Sequence, residues 1–270
     1  MKNKTRGITS KQILALLEFH QKLGYSYKGV RTNSSMELES RHSGKVRTMD
    51  NSLPMGELIY IQLVKKYILE NNIHKRIPKI KRKDIKYYVY SNDVKVGSTF
   101  KNCYEIDLKS AYWETGNMNN IIDPVIYNKA YQINPKTKKP FISKQVRLAS
   151  LGSLAKVERR FEFNGTKTKT LPPKRTRQTE HIWDFICYKT SLVMQKCMRE
   201  SESDFIFFWT DAIFVTSERA KNKVGRLLEN LGYDYTVKPI QKIEFTQKDI
   251  QVKDRKEERP FPYTHRYRKY

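Results

Sequence analysis

Asp107 ends the run Cys103-Tyr104-Glu105-Ile106-Asp107, and Asp211 lies in the apolar stretch Phe205 to Val215 with Thr210 as its polar companion. Carboxylates presented by two apolar strands are oxygen ligands for hard divalent cations. Mg²⁺ needs only one or two of them when water and phosphate oxygens complete its octahedron. Two such ions activate a hydroxyl nucleophile and stabilise a departing pyrophosphate, which is the chemistry of nucleotidyl transfer. A strand period of two puts Glu105 on the side of Asp107, which makes Glu105 a candidate third ligand.

An α+β layout has to position these groups: a small antiparallel sheet with helices against one face. Strands are predicted at 87–91 and 102–108, a helix over 110–119, and two strands joined by a tight turn around Thr210-Asp211. Lys136 to Pro140 reads as a basic turn, 143–160 as a helix, and the Lys-, Thr-, Arg- and Pro-rich stretch 164–178 as a loop. Glu180 to Arg199 patterns as a helix that turns Ile182, Phe185, Ile186, Leu192, Val193 and Cys197 inward. Ser217 caps a further helix and Gly232 ends it; strands follow at 233–238 and 240–245. Upstream, 8–24 reads as an amphipathic helix with Thr9 or Ser10 as cap and Gly24 as stop, 31–53 as a polar loop or linker, and Pro54 to Asn71 as a second helix. This gives a basic, mainly helical region at 1–100, a catalytic core at 101–245 and a charged tail at 246–270.

With 38% apolar residues, 270 positions suffice for one substantial core or two small ones. The formal charge of +25 favours polyanions, nucleic acid first, as partners. The stretch His74 to Lys86 is dense in Lys and Arg and reads as an arm that tracks a phosphate backbone. Cys103, Cys187 and Cys197 have no Cys-x-x-Cys spacing, so neither a disulfide framework nor a zinc ribbon is suggested, and a reducing cytoplasmic setting is expected. No apolar run approaches membrane-spanning length and no signal peptide is recognisable, so no membrane role is expected. The five His residues show no ligand spacing, and Gly-x-Ser-x-Gly is missing, which argues against zinc and serine hydrolases.

Asp107-Leu108-Lys109-Ser110-Ala111-Tyr112 resembles motif A of family B DNA polymerases, Asp-x-x-Ser-x-Tyr, with Trp113 where Pro usually follows. Lys144 to Gly152 resembles motif B, Lys-x-x-x-Asn-Ser-x-Tyr-Gly, with Leu148-Ala149 and Leu151 replacing Asn-Ser and Tyr. Trp209-Thr210-Asp211-Ala212 resembles motif C, Asp-Thr-Asp-Ser, with Trp209 at the first Asp. The order is that of the family, and its minimal, protein-primed phage and mobile-element branch is the most similar.

The resemblance implies a polymerase palm in which Asp107 and Asp211 are the catalytic metal ligands and Mg²⁺ or Mn²⁺ is the cofactor. It implies that the backbone of Leu108, Lys109 and Ser110 holds the triphosphate, that Lys144, in the motif with Gly152, neutralises it, and that Tyr112 excludes a 2′-hydroxyl. Thr210 and Lys242 become primer–template contacts, Lys242-Ile243-Glu244 being a loose counterpart of the Lys-x-Tyr motif. DNA primer–template and dNTPs are the implied substrates. Thirty-six residues between Asp107 and Lys144 leave room only for stunted fingers, and the 25 residues after Phe245 are too few for a thumb. A protein partner that supplies a clamp or a priming function is therefore expected, and no exonuclease domain precedes the palm.

Two other functions fit parts of the pattern. Glu105-x-Asp107 with a later Asp211 imitates the acidic residues of archaeo-eukaryotic primases, although only Thr179-Glu180-His181 stands near their Ser-x-His motif. The altered motifs B and C also permit a non-catalytic nucleic-acid-binding protein on a degenerate palm.

Overall fold

A computed structural model describes residues 6–32, 35–48, 58–135, 137–155, 157–175 and 178–262. The chain is α+β and divides into two compact units. The first comprises Met1–Pro78 and Ile122–Trp183, the second Lys79–Ile121 and Asp184–Tyr270. The expected boundary near residue 100 is therefore replaced by an exchange in which each unit takes two segments of chain.

The first unit holds a six-stranded sheet built from β1 (Arg6–Ile8), β2 (Tyr27–Arg31), β3 (Met36–Ser40), β4 (Gly44–Thr48), β7 (Val157–Phe163) and β8 (Thr168–Arg175). Their order is β1-β4-β3-β2-β7-β8, antiparallel except for β1 with β4. Helix α1 (Ser10–Lys22) covers one face, burying Ile13 among Tyr27, Leu38, Val46 and Phe163. Thr9 closes its N-terminus as a capping box with Gln12, and Gly24 follows with φ +68°, as cap and stop residues require.

The mainly helical N-terminal region is thus corrected. The stretch read as a linker carries β3 and β4, because Leu38 and Val46, alternating with charged neighbours, each bury fully. The helix expected over 143–160 stops as α6 (Lys144–Gly152) and the chain turns into β7, while the expected loop 164–178 carries β8. Helix α2 (Leu58–Glu70) buries Val64 and Ile68 and packs on α6; Pro54 and Lys136 lie outside the described residues. Short α3 (Ile73–Arg76) and α5 (Pro124–Tyr131) complete this unit.

The second unit is organised by a fully antiparallel seven-stranded sheet, β13-β12-β11-β6-β10-β9-β5. Its strands are β5 (Tyr88–Tyr90), β6 (Thr99–Leu108), β9 (Phe205–Trp209), β10 (Ala212–Val215), β11 (Tyr235–Phe245), β12 (Asp249–Lys253) and β13 (Glu258–Pro262). The strands expected at 233–238 and 240–245 are one long β11, and the expected tail pairs into the sheet as β12 and β13. Alternation in Asp249-Ile250-Gln251-Val252 buries Ile250 and Val252 completely.

Helices α4 (Ala111–Met118), α7 (Glu180–Ser201) and α8 (Glu218–Asn230) lie on one face, where Ala111, Met194, Cys197, Val224 and Leu228 meet Ile106, Leu108, Phe208 and Ile213. Thr115 of α4 shares hydrogen bonds with the hydroxyls of Thr190 at 3.0 Å and Tyr233 at 2.8 Å, so these three buried hydroxyls are paired. The other face curls over itself. Phe261 of β13 meets Phe207 of β9 and Phe214 of β10, and Tyr90 of β5 reaches Pro262 O at 3.4 Å, bringing the two edge strands together.

Candidate active site at one end of the curled sheet

Strand β6 alternates cleanly: Tyr104, Ile106 and Leu108 face the helices, while Cys103 and Glu105 point into the curled face. Asp107 continues the second series at the end of the strand and is half-buried. Directly opposite it stand Ala212 of β10 and Thr236 of β11, two small side chains.

Asp211 is the second residue of the two-residue loop joining Trp209 to Ala212. The Leu108 N–H donates to Asp211 O at 3.0 Å, which fixes the backbone of Asp211 beside the end of β6. A two-residue hairpin loop demands positive φ, normally supplied by Gly or Asn. Here Thr210 adopts φ +54°, a conformation costing a β-branched residue about 1–3 kcal/mol. In return, its hydroxyl donates to Asp211 Oδ1 at 2.6 Å and orients that carboxylate.

Ser110, which caps α4, is also left-handed, at φ +52°. Two strained non-glycine residues thus flank the two aspartates. The amides expected to bind phosphate are partly committed: Leu108 N–H goes to Asp211 O, and Lys109 N–H to Asp234 O at 2.8 Å. Leu108 itself is buried and Lys109 exposed. In the first turn of α4, the Trp113 and Glu114 N–H groups donate to Ser110 O at 2.8 and 3.0 Å, and this turn carries the positive end of the helix dipole.

Tyr112, the second residue of α4, is half-buried. Burial, then the nearby Cys187, Asp211 and Tyr87, hold its hydroxyl well above the usual tyrosine range, so the phenol stays neutral beside Asp211. Burial likewise pushes the Cys187 thiol up to about 12, where it is inert as a nucleophile.

Glu105 is only 3% exposed, and its two carboxylate oxygens accept from Arg259 at 3.3 and 2.7 Å, with Lys238 at 3.9 Å. This carboxylate serves an ion pair that ties β6 to β13 inside the curl; it is not placed as a third metal ligand. Lys242 lies on β11 in an ion pair with Glu244 at 2.5 Å. Lys144 and Gly152 belong to the first unit, as the exposed first residue and the last residue of α6.

Among the described residues there is no group of three or more His, Cys, Asp or Glu placed to hold a metal. The donor set of Asp107 and Asp211 is oxygen only, which fits Mg²⁺ or Mn²⁺ coordinated by two carboxylates, water and substrate phosphate. Among the same residues no helix is long and apolar enough to cross a membrane. Sequence reasoning missed Arg259, hidden in the supposed tail, and the strain at Thr210, which β-branched Thr in a two-residue loop already signals. No protein-family model matches the chain, and no curated protein matches it.

Proposed function

We propose that the second unit catalyses template-directed nucleotidyl transfer, as a dNTP-using DNA polymerase without an exonuclease. The observation that carries this reading is the pairing of β6 with the β9–β10 hairpin, which brings the backbones of Asp107 and Asp211 together at one end of the sheet. Asp107 and Asp211 hold the divalent cations. When bound, these supply Lewis-acid activation of a 3′-hydroxyl and charge neutralisation of the pyrophosphate.

The chain's own residues then position and exclude. Thr210 orients Asp211, and the N-terminus of α4 turns its positive dipole end toward phosphate. Tyr112, rigid in α4 and uncharged, packs beneath the sugar, where a 2′-hydroxyl has no room. The charge of +25 supports a nucleic-acid substrate, and a protein partner that clamps the duplex or primes synthesis completes the reaction.

The test is extension of a labelled DNA primer on a template with Mg²⁺ and either dNTPs or rNTPs. Asp107→Ala and Asp211→Ala should each reduce incorporation by at least about a hundredfold, since each removes charge stabilisation worth several kcal/mol. Tyr112→Ala should raise the use of rNTPs relative to dNTPs. Incorporation that survives both aspartate changes would refute the reading, and tight DNA binding without incorporation by the parent would favour a binding-only protein.

A further inference from the structure

Across the functional end of the second sheet, the register aligns Tyr88, Trp209, Ala212, Asp107 and Thr236 in one row. Directly paired residues of an antiparallel sheet share a face. Tyr88 and Trp209 therefore stand on the face of Asp107, and their rings stack at 5.0 Å and 14°. Trp209 is two strands from Asp107, roughly 10 Å at the usual strand spacing. Between them lies the small, buried Ala212, and Phe261 packs edge-on against Trp209 at 5.9 Å.

Beside this stack runs a cleft of about 710 Å³ along residues 82–95, whose lining includes Lys83, Lys86, Lys95, Tyr87, Tyr88 and Tyr90. Buried Ile85 and Val94 pin its ends, and Tyr87 is 40% exposed. The cleft contains the end of the basic stretch His74 to Lys86, which is folded here around a turn at Arg82–Asp84 rather than extended as an arm. Cations that track phosphates, interleaved with aromatic faces on which bases stack, are the two elements of a single-strand site. A duplex keeps its bases paired and offers only phosphates.

We propose that the Tyr88–Trp209 stack and the basic cleft beside it bind an unpaired nucleic-acid strand and deliver it along the sheet face toward Asp107. The delivery step rests on the nucleotidyl-transfer reading; the binding does not. Trp209, which replaces the first Asp of motif C, thereby acquires a role of its own as a stacking platform.

The test is titration of the full chain with a labelled oligothymidylate, and with a hairpin duplex of matched length, in EDTA without nucleotides. Anisotropy and tryptophan fluorescence are followed at several salt concentrations. Stacking on Trp209 should quench part of the emission, and Trp209→Phe should remove that quenching while keeping affinity within about threefold. Tyr88→Leu and Trp209→Leu should each weaken single-strand binding roughly tenfold without changing its salt dependence, and leave duplex binding unaltered. Lys83→Ala/Lys95→Ala, both at exposed positions, should instead lower the slope of log K against log salt by about 1.4.

Parent-like binding by folded leucine variants, or an equal loss for the duplex, would overturn the proposal. Should the leucine variants fail to fold by circular dichroism, Trp209→Phe and the lysine pair decide it: unquenched emission at saturation together with an unchanged slope overturns it. Failure of primer extension with binding intact would count against the catalytic reading alone.

Discussion

The two sheets of this protein present charge in opposite ways. On the face of the first sheet away from α1, the row Lys45–Glu39–Lys28–Glu162–Lys169 alternates in sign across five strands. Lys28 approaches Glu162 at 3.6 Å, and Lys45 approaches Glu37 at 2.9 Å. On the second sheet the row through Asp107 has no other charged member, and its neighbours are two small residues and an aromatic stack. Charges that face each other across strands stabilise a solvated surface; Asp107 instead has no charged residue directly opposite it on either neighbouring strand. The overall charge of +25 therefore does not distinguish the two faces, whereas cross-strand register does.

The sharpest break in this comparison is catalytic. Glu162→Ala and Glu39→Ala should leave nucleotide incorporation within about twofold of the parent, against the hundredfold or greater loss for either aspartate. Equal losses would erase the distinction between the faces.

Next in size is the ion pair inside the second sheet. Arg259→Met leaves Glu105 buried beside only a distant Lys238, and should cost the second unit about 3–5 kcal/mol in urea denaturation. Adding Glu105→Leu should restore most of that loss. By contrast Lys28→Ala, in the exposed row of the first sheet, should cost under about 1 kcal/mol.

Alkaline pH separates the units too, because all three cysteines belong to the second. Burial raises Cys103 to about 11 and Cys187 and Cys197 to about 12, from an ordinary 9.0. The folded state then retains protons that the unfolded chain releases, so stability is complete below pH 9 and falls as pH rises toward 11–12. Denaturation midpoints against pH should show this decline in the second unit, and Cys187→Ala should reduce it.

The smallest effect concerns the turn. Thr210→Gly should leave stability unchanged or raise it by up to about 1 kcal/mol by relieving the positive φ, yet lower incorporation roughly tenfold by releasing Asp211. Unchanged incorporation would show that the Thr210 hydroxyl does not orient the carboxylate.

Much of the second unit was legible in the sequence because local signals agreed there. Ser217 and Gly232 bracket α8, the apolar run around Asp211 folds as β9 and β10, and α7 continues to Ser201, close to its expected end at Arg199. Most strands of the first unit were missed because they are short and strongly charged, whereas α1 formed where its caps predicted. In β3 and β4 a single fully buried residue each, Leu38 and Val46, carries the apolar signal, and β8 is polar along most of its length. Such strands exist only because their neighbours complete the sheet, and no window of local sequence contains those neighbours.

The sequence by itself determined the identity of the two aspartates, their apolar strands, the caps that frame the helices and the basic charge of the chain. All of these are short-range properties of residue type and spacing. Tertiary structure alone decided that Ala212 and Thr236 flank Asp107, that Arg259 occupies Glu105, and that Tyr88 stacks on Trp209 in the row of Asp107. Each depends on pairing between strands far apart in the chain, and a one-residue shift of register would turn every one of these side chains to the other face.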